Sequence, residues 1–457
     1  MKIRVTVGRL VWLILSFVGG LISAHGATLY VSTQGSDSNP GTAAQPFRTI
    51  THAYSAASAG TTILVAPGVY TDYTSGWGIH LGKSGTASSP IILQSQVPGG
   101  AIIDGQNASD RNLGIYIDGN YNVVDGFEIK GGPKGGISLY LPGGSYNQIR
   151  NCNIHNNGNP AGSSGDGQCG IYSSQGTSST PSTQGNVYSA NYIHDNGRTG
   201  SNLDHGLYLC GNNEVVINNV VVANATHGLQ IAGYTTVNNM KVCNNVFAYN
   251  GKNGIILWQA LNGVDIQNNI LYKNGHAGVG SWDAHGSGVV MDHNLSYGNM
   301  LGDFNLTDGG SDFSYSLAAT IYADPKLVDE TTSGFDAHLG NGSPCIQAAV
   351  NLSSSFTTDI AGSTRPAAGA WDLGAYMFGV VVTSLRPTLS LTKVAEGAMS
   401  LTWDSIAGKI YRVAYKGNLT DSWTDLSGDI TAAGTSTSWT DSSAATAIQR
   451  FYMVYTN

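Results

Sequence analysis

Four short segments, spaced 22, 26 and 24 residues apart, carry the side chains best suited to chemistry. They read Asp204-His205-Gly206, Thr226-His227-Gly228, Lys252-Asn253-Gly254 and His276-Ala277-Gly278. A histidine changes charge near neutrality, and a lysine becomes a base when burial or nearby cations lower its pKa. Lys252 lies one repeat from both His227 and His276, which makes it the first candidate for abstracting a proton. His205 and His227 are the alternative bases, with Asp204 beside them. Tyr172, Arg198, Tyr208, Gln230, Trp258, His276, Trp282 and Asp283 recur around the same segments. Aromatic rings of this kind suit the apolar faces of sugars, and the polar groups suit hydroxyls and carboxylates.

A fixed period of this length is the mark of a solenoid. Each glycine opens a short apolar run: Gly206-Leu207-Tyr208-Leu209, Gly228-Leu229-Gln230-Ile231, Gly254-Ile255-Ile256-Leu257 and Gly278-Val279-Gly280-Ser281. The second half of each unit ends in polar corners. Val216-Ile217-Asn218-Asn219, Val242-Cys243-Asn244-Asn245, Ile266-Gln267-Asn268-Asn269 and Met291-Asp292-His293-Asn294 align, and Asn224, Asn250, Asn274 and Asn299 follow five residues later. Strands this short, with no helix-period segment between them, predict a parallel β-helix in which stacked asparagines hold the corners. Leucine-rich repeats would need a leucine-dominated consensus that is absent here. Strand alternation turns Ile171, Leu207, Leu229, Ile255 and Val279 inward. Tyr172, Tyr208, Gln230, Ile256 and Gly280 then face outward, followed two positions later by Ser174, Cys210, Ala232, Trp258 and Trp282. Two longer gaps, 34 and 36 residues, place polar loops that would wall a groove.

The fold class predicted is all-β, with a helical cap, a right-handed parallel β-helix and a small β-sandwich. Residues 1–27 pair Lys2, Arg4 and Arg9 with an apolar Leu10-to-Ile22 core and a small-residue cleavage site, as in a secretory signal peptide. The protein is therefore expected to be secreted or held at the cell surface after that segment is removed. No other stretch is long and apolar enough to span a bilayer. Residues 28–379 form the solenoid, 380–387 a linker and 388–457 a six-stranded module. Pro46-Phe47-Arg48-Thr49-Ile50 through Ala59 has helical spacing, with the proline in its first turn, and would cover the open end of the strands. Residues 324–379 read as an irregular closing cap.

Only 11% of the 457 residues are charged, while 61 are glycine, a balance that fits turn-rich β structure. The net charge is −8, and losing three basic and no acidic residues with the leader takes it to −11. An acidic body argues against nucleic acid as partner, and a monomer is expected. The five cysteines have no metal-finger spacing and read mainly as buried thiols, with a Cys152–Cys169 bridge as the alternative.

Tyr30-Val31-Ser32, Gly35-Ser36-Asp37, Asn39-Pro40-Gly41-Thr42, Pro46-Phe47-Arg48-Thr49-Ile50 and Pro67-Gly68-Val69-Tyr70 give a further lead. Together they resemble the opening region of secreted right-handed parallel β-helix proteins. Polysaccharide lyase family 9, the pectate lyase and exopolygalacturonate lyase group, is the best-known enzyme set with this region. The resemblance runs through the repeats to about Gly379. It implies β-elimination on an acidic polysaccharide, with a lysine base and calcium held by an aspartate cluster. Asp166 and Asp204 are the residues that could hold calcium, although the repeat body lacks the family's adjacent aspartate pair. Arg198 is the alternative partner for the substrate carboxylate. The last 70 residues resemble fibronectin type III-like modules of secreted bacterial enzymes.

Other functions remain open on the same scaffold. An inverting glycoside hydrolase would use Asp204 with Asp283 or Asp166. Asp204-His205 is similar to the Asp-Pro-His motif of mannuronan C5-epimerases, without its proline. A non-catalytic surface protein would use the groove only to bind glycan.

Overall fold

The computed structural model describes residues 26–457 except 74–75, 107–112, 159–167, 178–179, 199, 234, 309, 311, 333, 380–388, 395–396, 406–409, 419–422, 435, 447–448 and 457. The leader, the linker and Asp166 thus lie outside the described residues, save for Gly26 and Ala27. Three long parallel sheets run the length of the solenoid and make it a right-handed parallel β-helix. The first has 11 strands from Thr28–Val31 to Tyr315–Ala318. The second begins with Ile79–Leu81 and ends with Phe304–Asn305, and the third begins with Gly68–Tyr70 and ends with Leu295–Tyr297.

Register follows the glycine-led repeat. Tyr172 pairs with Tyr208, Tyr208 with Gln230, Gln230 with Ile256, and Ile256 with Gly280 along the second sheet. The residues predicted inward, Ile171, Leu207, Leu229, Ile255 and Val279, are fully buried in one continuous core. Adding a Cβ to Gly228 would bring it 2.7 Å from the Gly254 carbonyl oxygen, so the stacked glycines allow neighbouring coils to approach.

The asparagine corners form as the sequence predicts. Asn219, Asn245 and Asn269 each donate their backbone N–H to the next amide oxygen, at 2.9 Å, ending on Asn294. A second ladder runs from Asn224 through Asn250 and Asn274 to Asn299. Asn218, Asn244 and Asn268 hold φ of 54°, 55° and 59°, the left-handed conformation that asparagine tolerates.

Two details differ from the sequence reading. The helix spans Ile50–Ala56, and Thr49 starts it by accepting the His52 N–H on its hydroxyl; Pro46 precedes it. The closing segment does not seal the end of the stack. It lies along the third sheet, where Leu327, Leu339, Trp371 and Leu373 pack on Val220, Val246, Ile270 and Leu295. All five cysteines are buried free thiols, in line with the main sequence reading, and the alternative Cys152–Cys169 bridge is not formed.

After residue 388 two small antiparallel sheets follow. One joins Leu389–Lys393, Met399–Asp404 and Ser436–Asp441, and the other is centred on Ile410–Lys416. Leu401, Trp403, Tyr411 and Val413 form their shared core. No helix among the described residues is long and apolar enough to cross a membrane.

Candidate functional site

The outer face of the second sheet gathers most of the predicted side chains. Two ladders form its leading edge. Lys252 donates its N–H to the Thr226 carbonyl and His276 donates to that of Lys252, so positions 226, 252 and 276 stack. In the adjacent ladder the His227 N–H is donated to His205 Nδ1 at 3.4 Å, and the Asn253 N–H to His227 Nδ1 at 3.2 Å. Asn253 then accepts the Ala277 N–H at 2.9 Å. Each side chain at this position satisfies the backbone of the next coil.

That arrangement corrects the expectation that His205 or His227 is a base. A backbone N–H can only donate, so each Nδ1 must accept and the ring proton sits on Nε2. Neither ring then offers a free lone pair. Burial pushes His205 down to about 3, with Lys252 adding to the shift and Asp204 opposing it. His227 also falls well below the usual value, through burial and then through His205, Lys252 and His276. Both rings are uncharged at neutral pH. His205 Nε2 is buried with no hydrogen-bond partner.

Asp204 is also committed. It is fully buried and accepts from Arg198 Nε at 2.7 Å, Arg198 Nη2 at 3.0 Å and the Gln168 N–H at 3.0 Å. Burial raises its pKa, but those donors outweigh burial and hold the carboxyl below the usual range. The pair clamps the loop that ends in Leu203. Asp204 thus has no open oxygen for calcium or acid–base work, and the Arg198 charge is already compensated. Among the described residues no group of three His, Cys, Asp or Glu side chains could hold a metal ion. The described residues, Asp204 included, thus offer no carboxylate cluster for calcium.

Lys252 differs. Its Nζ donates to the neutral Asn202 Oδ1 at 2.6 Å, and it has no carboxylate partner among the described residues. Burial and the Lys252 charge both push half-buried His276 below its ordinary value. Lys252 therefore remains the positive centre of this edge.

Aromatic residues line the rest of the face. Ring centroids step from Trp77 to Tyr116 at 5.0 Å, Tyr116 to Tyr140 at 5.1 Å, Tyr140 to Tyr172 at 5.4 Å and Tyr172 to Tyr208 at 5.5 Å. Trp77, Tyr116 and Tyr140 were not singled out from sequence, although Gly114-Ile115-Tyr116 shows the same outward step. Trp258 and Trp282 stack at 5.5 Å with their planes 15° apart. Their strands run on to Asn262 and Ser287, which carries both rings outward. Ser174, Cys210 and Ala232, predicted outward, are buried where shorter strands already turn. Gln230 is also largely buried, and Asp283 is exposed beside His285 at 3.1 Å.

Comparison with known proteins places these features in context. Residues 29–204 match the profile described as "Pel9A-like, right handed beta helix region". The chain is 30% identical over 163 residues to Pectate lyase PEL9 of Emericella nidulans, covering 33% of this chain and 38% of that protein. It is 34% identical over 137 residues to Pectate lyase L of Dickeya chrysanthemi, covering 28% and 32%. Each match therefore spans about a third of the relative's length. The crystal structure of pectate lyase Pel9A superposes with a TM-score of 0.52 at 19% identity, covering 77% of this chain and 96% of that one. The chain has a pectate lyase-like β-helix fold.

Proposed function

We propose that this protein is a secreted enzyme that cleaves a uronate-containing polysaccharide by β-elimination, with Lys252 as the base. The observation that carries the reading is the Lys252 amine, bonded to neutral Asn202 and to no carboxylate among the described residues, at the edge of the sheet that carries Tyr172 and Tyr208. A cationic centre attracts an acidic chain, and the rings receive its sugar faces. Partial similarity to pectate lyases supports the same reading.

In its neutral form Lys252 would take the proton from C5 of the uronate. The electron pair left behind forms the C4–C5 double bond as the C4–oxygen bond breaks, and the departing oxygen is protonated. Tyr208, partly exposed on this face, would orient the sugar. No step is assigned to calcium, because Asp204 is taken by Arg198. The hydrolase reading is weaker for the same reason, since it needs Asp204 as one of two open carboxylates.

A screen over pectate, alginate, ulvan and neutral glycans, with and without chelator, tests the proposal. The expected result is the ultraviolet absorbance of an unsaturated uronate from at least one acidic glycan. New reducing ends without that absorbance would indicate hydrolysis instead. Proton exchange at C5 without chain shortening would indicate epimerisation, and gel retardation alone would indicate binding without catalysis. Secretion is tested by finding the protein in culture medium with its N-terminus near residue 28.

A further inference from the structure

The third sheet presents a second concave site, on a different face from the aromatic groove. Its outward positions change character along the stack. Glu128 and Lys130 pair with Asn153 and His155, which pair with Tyr192 and His194. Beyond them the outward residues become Val220 and Val222, then Val246 and Ala248. The closing segment covers the apolar part. A pocket of about 580 Å³ opens where that cover ends.

Both walls contribute built polar groups. On the sheet side, His194 stands between Asp195 Oδ2 at 2.7 Å and Asn153 Oδ1 at 3.0 Å. From the closing segment, His338 stacks on Tyr376 with centroids 3.7 Å apart and bonds Asp336 Oδ1 at 2.5 Å. Asn153 lines the pocket, is 7% exposed, and its Nδ2 has no hydrogen-bond partner.

The pocket's chemistry selects a ligand class. Its volume lies within the roughly 300–1,000 Å³ of small-molecule sites. Tyr192 and Tyr376 offer ring surface for C–H faces, and Asp195 and Asp336 offer acceptors for hydroxyls. Burial acts to raise the Asp336 carboxyl, but bonds from the His338 ring and backbone N–H hold it below its ordinary value. No lysine or arginine stands among the described lining residues to receive a uronate carboxylate. We infer that this pocket is an accessory binding site for a neutral mono- or disaccharide, separate from the groove that faces Lys252. The inference stands whether or not the groove is a lyase site.

Titration calorimetry of the full chain with methyl β-galactopyranoside, methyl α-rhamnopyranoside, methyl β-xylopyranoside and galacturonic acid tests it. At least one neutral glycoside should bind more tightly than galacturonic acid. Asp336→Asn and Tyr376→Ala should each weaken that binding by about tenfold, the loss expected for one hydrogen bond to a charged group or one stacked ring. Lys252→Ala should leave it unchanged. Asp195→Asn changes a side chain that is 54% exposed, so it decides the matter if the other variants unfold. The inference is overturned if no neutral glycoside binds or galacturonic acid binds best. It is equally overturned if binding survives the pocket variants or is lost in Lys252→Ala.

Discussion

Glu214 gives a prediction whose size follows from its surroundings. The side chain is fully buried beneath the strand that carries Tyr172. Its Oε1 accepts from Asn186 Nδ2 at 2.8 Å, Tyr188 Oη at 3.2 Å and Thr183 Oγ1 at 3.4 Å, and its Oε2 accepts from Ser173 Oγ at 2.9 Å. Burial raises the carboxyl from 4.5 to about 7, and the four donors only moderate that rise. Between those values the folded chain keeps a proton that the unfolded chain has released. The associated stability is fully present below about pH 4.5 and is lost as pH rises through about 7. At about 1.36 kcal/mol per unit, the loss totals about 3 kcal/mol. Glu214→Gln keeps an acceptor for Asn186 and places an N–H toward Ser173, so it mimics the protonated acid. Urea unfolding followed by circular dichroism should find the variant close to wild type below about pH 4.5 and about 3 kcal/mol more stable well above pH 7. A stability difference that does not change with pH would refute the reasoning.

His205 should show the opposite slope. Its folded value is depressed, so its contribution is present above about 6.5 and is lost as pH falls toward about 3. His205→Asn, copying the role of Asn253, should gain stability relative to wild type as pH falls below about 6.5; unfolding at acid and neutral pH checks this. Asn245→Ala removes the acceptor for the Asn219 N–H and the donor to the Val216 carbonyl. It should cost about 2–5 kcal/mol, read as a lower urea midpoint. Trp282→Ala deletes a 56%-exposed ring stacked on Trp258. Affinity gels should show roughly fivefold weaker glycan binding, about 1 kcal/mol, with little change in unfolding.

The repeat itself was legible because its causes are local. Paired asparagines, one in the left-handed conformation and one in the ladder, announce each corner, and the glycine opens each coil. Apolar alternation then fixes which residues face the core. Residue types that resemble a catalytic cluster were harder to interpret. His205, His227 and Asp204 are spent on backbone N–H groups and on Arg198, and that demand comes from the neighbouring coil or loop. No spacing within one repeat reveals it. Tyr140 joins Tyr116 from two positions beyond Ser138, the residue that pairs with Tyr116, so the repeat step alone does not point to it. The pocket against Tyr376 depends on where the closing segment lies down, which the decaying period after Asn299 does not encode.

The central claim is that Lys252 is the groove's base, and its substitution by alanine tests this most directly. With an acidic glycan identified by the screen, the initial rate of unsaturated-product formation should fall by at least about 100-fold in Lys252→Ala, the usual scale for removing a general base. Binding of the glycan and the unfolding midpoint should change little. An elimination rate that survives the substitution would contradict the account and move the chemistry elsewhere on the solenoid.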